Sequence, residues 1–416
     1  MGVLIDTDLH VVVTNVAGVQ GHCESGFGRV ADVFGALLES GQDVGSSVGV
    51  YLDGKLVVNI WGGSAEPGRG VPWTEHTITP IGSTGKALAS TALLILVDRG
   101  LVDLDEPVAS YWPAFGQNGK VEIPVRLVLS HRSGVAALDV PISNDQAAAL
   151  DPVLRLIEQQ RLWWRPGTKH GYHAVTYGFI LSGLIRAVTG RTVGQFFADE
   201  VARPLGLDLH IGLPPACHDA VAPMIGPSQR QVIRSMLNPV WLRYLLGVAN
   251  RRSASYRATF GGTSVSFDDH AELARYEVED ASSGALGNGR SLARMFAALI
   301  GEVDGRRLIS PELMNAARQP QASGYDVVLR MRTDWGLGFA LPGGPLWPDV
   351  GVPGIFGHTG ASGSLAFADP EHRLAFGYTP NLWAELSGSF TAPRFRFQAL
   401  TEAVYESAGA SRWPHV

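Results

Sequence analysis

Hydrophobic and polar positions along the chain change period several times. Val48-Gly-Val-Tyr-Leu52 and Lys55-Leu-Val-Val-Asn-Ile-Trp61 are β-rich runs separated only by Asp53-Gly54. An Asp-Gly pair between such runs predicts a tight hairpin, because both residues tolerate the positive φ its turn needs. Upstream, Val30, Val33, Phe34, Leu37 and Leu38 share one side of a helix predicted from Gly21 to Ser40. Downstream, Ser83 to Arg99 is apolar nearly all round and stops at Gly100, which predicts a helix buried at the protein's centre. Residues 101–134 are mixed, with turns at Pro107, Pro113 and Pro124. Helical patterns follow at 147–161, 175–190, 193–203, 232–250, 291–300 and 311–317. Strand patterns then appear at 335–341, 363–369 and 374–380, and a helix at 392–408 closes the chain. Strands at both ends with helices between predict one sheet built from the two terminal segments, with a helical region inserted.

Composition narrows the class. With 416 residues, 45% of them hydrophobic, the chain can bury a large core, which excludes intrinsic disorder. Charged residues make up only 17%, and 33 basic against 39 acidic side chains give −6, so no electrostatic nucleic-acid partner is expected. Two cysteines, Cys23 and Cys217, exclude a disulfide scaffold and a four-thiolate zinc site. The start has no basic segment, Asp6 and Asp8 interrupt its apolar stretch, and position 6 does not suit myristoylation at Gly2. The longest apolar run, Ala87 to Val97, is far short of the ~20 residues that span a bilayer. The expectation is a soluble cytoplasmic protein without a membrane span. Nothing in the sequence marks an oligomeric state.

Chemistry concentrates first in Ser83-Thr84-Gly85-Lys86, at the start of the buried helix. A serine hydroxyl needs an adjacent base to become nucleophilic. Residues at i and i+3 share a helix face about 5–6 Å apart at Cβ, so Lys86 can reach the Ser83 oxygen. Burial lowers a lysine pKa by as much as ~3–5 pH units, which would let Lys86 accept the serine proton. An ordinary N-cap serine with a solvent lysine has the same spacing, so further clusters must decide.

Two do. Trp164-Arg-Pro-Gly-Thr-Lys-His-Gly-Tyr172-His173-Ala174 is a loop that delivers Tyr172 just before a helix. A phenol beside Ser83 and Lys86 could pass a proton to a leaving group, and a cationic neighbour would favour its ionised form. Gly357-His358-Thr359-Gly360-Ala361-Ser362-Gly363-Ser364 leads into a strand whose small residues allow close approach of a ligand. His358, Thr359 and Gly360 are therefore the candidate substrate-binding residues. The Ala361 N–H paired with that of Ser83 would make an oxyanion hole, one such donor being worth roughly 3–4 kcal/mol.

These clusters, in this order, resemble the serine β-lactamase and penicillin-binding-protein superfamily. Flanking segments resemble it too: Leu101-Val-Asp-Leu-Asp-Glu-Pro107, Val125-Arg-Leu-Val-Leu-Ser-His131-Arg-Ser-Gly134 and Asn288-Gly-Arg-Ser-Leu-Ala-Arg294. The resemblance covers most of residues 20–405 and is nearest the class C-like branch that includes family VIII carboxylesterases. It implies an α+β, β-lactamase-like fold: an antiparallel sheet flanked by helices and built from both chain ends, with an inserted all-helical region. The expected sheet domain is 1–120 with 265–416, and the mainly helical domain is 121–264. The roles implied are Ser83 nucleophile, Lys86 base and Tyr172 proton shuttle.

Departures from the pattern bear on substrate. Where β-lactamases of this branch carry an Asn that bonds the substrate amide, this chain has Ala174, and their cationic Lys is His358, mostly neutral at pH 7. Both changes favour a small-molecule carboxylic ester, with short- to medium-chain acyl groups, over a β-lactam. D-amino-acid peptidase, β-lactamase and acyltransferase are the alternatives with the same site, and a non-catalytic binding protein is the alternative without it.

Other signals are weaker. Gly45-Ser-Ser47-Val-Gly49 fits a nucleophile elbow, but its serine opens a strand that runs into a hairpin, the wrong mechanical context. His170, His173 and Asp268-Asp269-His270 lack metal-site spacing. With no phosphate or dinucleotide motif either, no metal and no cofactor are expected. Residues 232–250 could cap an acyl pocket, touch lipid or lie in the core. Trp163, Trp164, Trp241, Trp347 and Trp383 are candidate pocket walls.

Overall fold

A computed structural model describes residues 10–12, 18–226, 239–260, 273–344, 347, 352, 354–383 and 396–409. The first third runs β1 (His10–Val12), β2 (Val19–Glu24), α1 (Gly28–Glu39), β3 (Gly45–Leu52) and β4 (Lys55–Glu66). The predicted hairpin joins β3 to β4, with φ of 53° at Asp53 and 75° at Gly54. The helix expected from Gly21 starts only at Gly28. Val19 to Cys23 pair instead with Val58 to Gly62 of β4. A Cβ at residue 21 would fall 2.0 Å from Asn59 O, so Gly21 serves close strand approach.

Six strands come from the other end: β5 (Ala322–Tyr325), β6 (Arg332–Trp335), β7 (Ala340–Leu341), β8 (Phe356–Thr359), β9 (Leu365–Asp369) and β10 (Leu374–Pro380). They join the first four in one sheet of order β1-β2-β4-β3-β10-β9-β8-β7-β6-β5. Its pairings are antiparallel, and the two chain ends meet where Ser46–Leu52 of β3 lies against Leu374–Pro380 of β10. The single strand expected over 335–341 is a hairpin: Trp335 pairs with Ala340, and Gly336 N–H donates to Phe339 O at 2.9 Å.

Four helices frame the sheet and the site: α2 (Gly85–Asp98), α3 (Thr176–Thr189), α4 (Gly289–Ile300) and α5 (Arg396–Ser407). Every residue of α2 from Gly85 to Leu96 is buried, as its all-round apolar pattern requires. It is entered through a 3₁₀ turn, Gly82–Thr84. α4 packs on β3, β9 and β10, while α1 packs against α5. The helix expected over 147–161 is two, Asn144–Ala149 and Asp151–Gln159, parted at Leu150 with φ 57°. Pro152 has no N–H to continue a helix and begins a new one instead.

Two large apolar clusters dominate the described residues. One surrounds α2, α3 and α4; the other holds the remaining sheet face, α1, α5, Tyr172 and Trp335. Residues around Ser83 lie where the two meet. Of the 232–250 segment, Pro239–Val248 is a helix, and the rest up to 238 lies outside the described residues, as do Asp268-Asp269-His270 and the expected helix start at 392–395. Among the described residues, no helix is long and apolar enough to cross a membrane, and no His/Cys/Asp/Glu group could hold a metal ion.

Candidate active site

Ser83 stands partly exposed in the 3₁₀ turn, and Lys86 follows it with a fully buried side chain. Lys86 Nζ lies 3.4 Å from Ser83 Oγ. It donates to two carbonyls from distant segments, Ala174 O and Ser282 O, each at 2.8 Å. Ser282 is itself fixed: its N–H donates to Asp280 Oδ1 at 2.8 Å, and its hydroxyl donates to Val175 O at 2.7 Å. Gly85 permits this approach, since a Cβ there would stand 2.7 Å from Ala285 Cβ. Burial lowers the Lys86 pKa to about 7, against the opposing pull of Asp280. At neutral pH a large share of this amine is uncharged.

Tyr172 is buried, its hydroxyl is hydrogen-bonded to Ser83, and its ring stacks on Trp335 at 5.3 Å and 12°. Desolvation raises its pKa well above the ordinary phenol range, outweighing the Ser83 hydrogen bond. The pull toward the ionised form expected from a cationic neighbour is therefore not what dominates. Lys86 Nζ sits over the ring face, 4.8 Å from its centroid, and burial then keeps the O–H protonated.

Three histidines back the site, all neutral. His131, at φ 58°, packs against Trp335, Tyr177 and Tyr172 at 4.4, 4.8 and 5.0 Å between ring centroids. Its Nδ1 accepts the His173 N–H at 3.2 Å, and burial lowers its pKa well below the ordinary imidazole value. His173 Nδ1 donates to Gly171 O at 2.7 Å, so its Nε2 accepts from the Ser133 hydroxyl at 2.6 Å; burial brings its pKa to about 4. His358 Nδ1 donates to Thr359 O at 2.7 Å, and burial brings its pKa to about 3. Its Nε2 is then a bare lone pair, buried with no protein partner among the described residues.

The turn after β8 is sewn to the turn that carries Ser83. Ser364 Oγ donates to Ile81 O at 2.7 Å and meets Thr84 Oγ1 at 2.8 Å. Gly360 fits between them: a Cβ there would fall 2.2 Å from Ile81 O. Ala361 is exposed, and its nitrogen would be 3.3 Å from a Cβ on Gly82, next to Ser83.

Sequence reasoning missed Ser282, Asp326, His131 and Trp335 as parts of this constellation. The one local signal was Trp335-Gly-Leu-Gly-Phe339, whose two glycines mark a chain reversal. Of the five tryptophans singled out, Trp164 comes near, its ring edge-on to His173 at 6.1 Å. Trp163 bonds Ala137 O at 2.9 Å, and Trp347 packs on Phe367. The Trp383 N–H donates to Ile225 O at 2.9 Å, and the Trp241 side chain lies outside the described residues. Ser47 is structural: its hydroxyl meets Thr379 Oγ1 at 2.9 Å and accepts the Gly289 N–H at 3.0 Å.

Fold and site together define a serine hydrolase of the β-lactamase fold. The chain belongs to the beta-lactamase family, whose profile matches residues 30–401. It is 35% identical over 373 residues to a Mycobacterium tuberculosis protein named esterase/beta-lactamase LipL, covering 87% of this chain and 83% of that one. Among solved structures, a family VIII carboxylesterase is 32% identical with TM-score 0.82, covering 94% of this chain and 99% of the other. A penicillin-binding-protein homologue from Caulobacter crescentus is 30% identical with TM-score 0.77, over 94% and 99%. The resemblance read from the three motifs is thereby established at the level of family and fold.

Proposed function

We propose that the protein is a carboxylesterase that cleaves short- to medium-chain esters through an acyl-enzyme on Ser83. One observation carries this reading: the two N–H groups of a neutral Lys86 are matched by two carbonyls, Ala174 O and Ser282 O. A neutral amine has two hydrogens and one lone pair, and the remaining direction is the one toward Ser83. Ser83 O–H gives its proton to Lys86 as Oγ bonds to the ester carbonyl carbon. The oxyanion is received by the N–H groups of Ser83 and Ala361. The carbon–oxygen bond to the alcohol then breaks, the departing alkoxide takes the Tyr172 proton, and the Lys86 ammonium restores it. Water repeats the sequence in reverse to release the acid.

Ester over β-lactam follows from what lines the site. Ala174 offers no side-chain amide, and neutral His358 offers no fixed cation for a substrate carboxylate. The likeness to a family VIII carboxylesterase supports the same choice. The test compares p-nitrophenyl butyrate, a chromogenic cephalosporin and a D-alanyl peptide on wild type and Ser83→Ala, with product analysis in the presence of added alcohols and amines. Wild type is expected to prefer the butyrate, and Ser83→Ala to abolish its turnover. Full residual activity in Ser83→Ala overturns the nucleophile. Preference for the cephalosporin or peptide, or acyl transfer outrunning hydrolysis, overturns the esterase assignment.

A further inference from the structure

Tyr172 is gripped at its main chain and, through a relay, at its ring by one carboxylate that belongs to none of the three motifs. Asp326 is fully buried on the connection between β5 and β6. Its Oδ1 accepts the N–H groups of Val328 at 2.9 Å and Leu329 at 2.8 Å, which is all its own turn requires. The same oxygen also accepts the Tyr172 N–H at 3.1 Å, from a segment far away in sequence. Its Oδ2 accepts the Thr333 hydroxyl at 3.3 Å. Thr333 Oγ1 accepts the Trp335 indole N–H at 2.9 Å, and Trp335 is the ring stacked on the phenol.

Three partners meet at the Thr333 hydroxyl. A hydroxyl has one hydrogen and two lone pairs. Thr333 Oγ1 also meets His170 Nε2 at 3.1 Å, so His170 belongs to the same network. A buried carboxylate is costly unless fully hydrogen-bonded, and one retained with bonds beyond its own turn is shaping something else. What it shapes is the depth and tilt of one phenol.

We propose that Asp326 is a positioning residue for the reaction: through the Tyr172 main chain and the Thr333–Trp335 relay, it fixes the phenol where it can protonate the leaving alkoxide. This rests on the role given to Tyr172 above. It carries a substrate consequence. An alkyl alkoxide is too basic to leave without that proton, whereas p-nitrophenolate leaves without it. Correct placement by Asp326 thus matters for alkyl esters and little for activated aryl esters.

The test measures kcat/KM, which reports acylation, for ethyl butyrate and p-nitrophenyl butyrate on wild type, Asp326→Asn, Thr333→Val and Tyr172→Phe. Asp326→Asn and Thr333→Val are expected to lose roughly tenfold to a hundredfold on the ethyl ester and less than about threefold on the p-nitrophenyl ester. Across a butyrate series, dependence on leaving-group pKa should steepen, as in Tyr172→Phe. Equal losses on both esters, or none, overturn the inference, because a merely structural defect lowers both alike. If Tyr172→Phe is selective and the other two are not, only the Asp326 inference falls. If Tyr172→Phe is not selective, its role as proton donor falls first and the inference with it. Thr333→Val exchanges a hydroxyl for a methyl of similar size and keeps the test open should Asp326→Asn not fold.

Discussion

Lys86 and Lys120 both have fully buried side chains, and their surroundings differ in the way that separates the proposed base from a structural cation. Lys120 Nζ donates to Gln117 O at 2.8 Å, Glu158 O at 2.9 Å and Gln160 O at 2.7 Å. Three acceptors match the three hydrogens of an ammonium, leaving no direction for a lone pair. Lys86 has two carbonyls and, in the third direction, the hydroxyl of Ser83. Burial lowers both, Lys86 to about 7 and Lys120 to about 8, with Glu158 opposing the shift at Lys120. Burial of the side chain alone thus does not set the role proposed for each amine. What differs is the third oxygen: at Lys120 a carbonyl that can only accept, at Lys86 a hydroxyl that can also donate.

Exchanging each lysine for methionine tests this most severely. Lys86→Met is expected to lower kcat/KM on p-nitrophenyl butyrate by about a thousandfold or more, while Lys120→Met leaves the folded enzyme within about twofold. Comparable losses at both sites, read from initial rates, would erase the distinction.

A pH profile sharpens it. The amine must be uncharged to take the serine proton, so activity is lost as pH falls through the Lys86 pKa of about 7. Well below that value, kcat/KM should drop about tenfold per pH unit, and above it the rate should level off. A profile flat from pH 5 to 8 would mean that another group accepts the proton.

The smallest effect concerns stability. Lys120→Met leaves three carbonyls without the donor they share and is expected to cost about 2–4 kcal/mol. Urea unfolding at pH 7 reads this directly, and an unchanged midpoint would show that the carbonyls find other partners.

How much of this was legible in the sequence depended on how local each feature is. Ser83 and Lys86 lie one turn apart, and helix geometry alone brings them together. The Asp53-Gly54 turn is equally local, and β3 and β4 follow it. Gly21 to Cys23 carry no local strand signal because β4, the long strand they pair with, lies more than thirty residues on. Ser282, Asp326 and Trp335 reach the site from segments that only the folded sheet and helices bring near. Their sequence neighbourhoods carry no periodicity or spacing that points to Ser83. The phenol of Tyr172 is expected beside Ser83 and hydrogen-bonds it there, but the burial that outweighs a cationic neighbour is set by distant segments and has no local signal.

The strand order has a consequence during synthesis. Because β10 inserts between β3 and β9, a growing chain cannot close its sheet until residue 380 has left the ribosome. The segment carrying Ser83 and Lys86 emerges hundreds of residues before Ser282 and the turn after β8. Throughout that interval Lys86 lacks the Ser282 carbonyl that accepts from it, so the reactivity proposed for Ser83 waits on a segment synthesised far later.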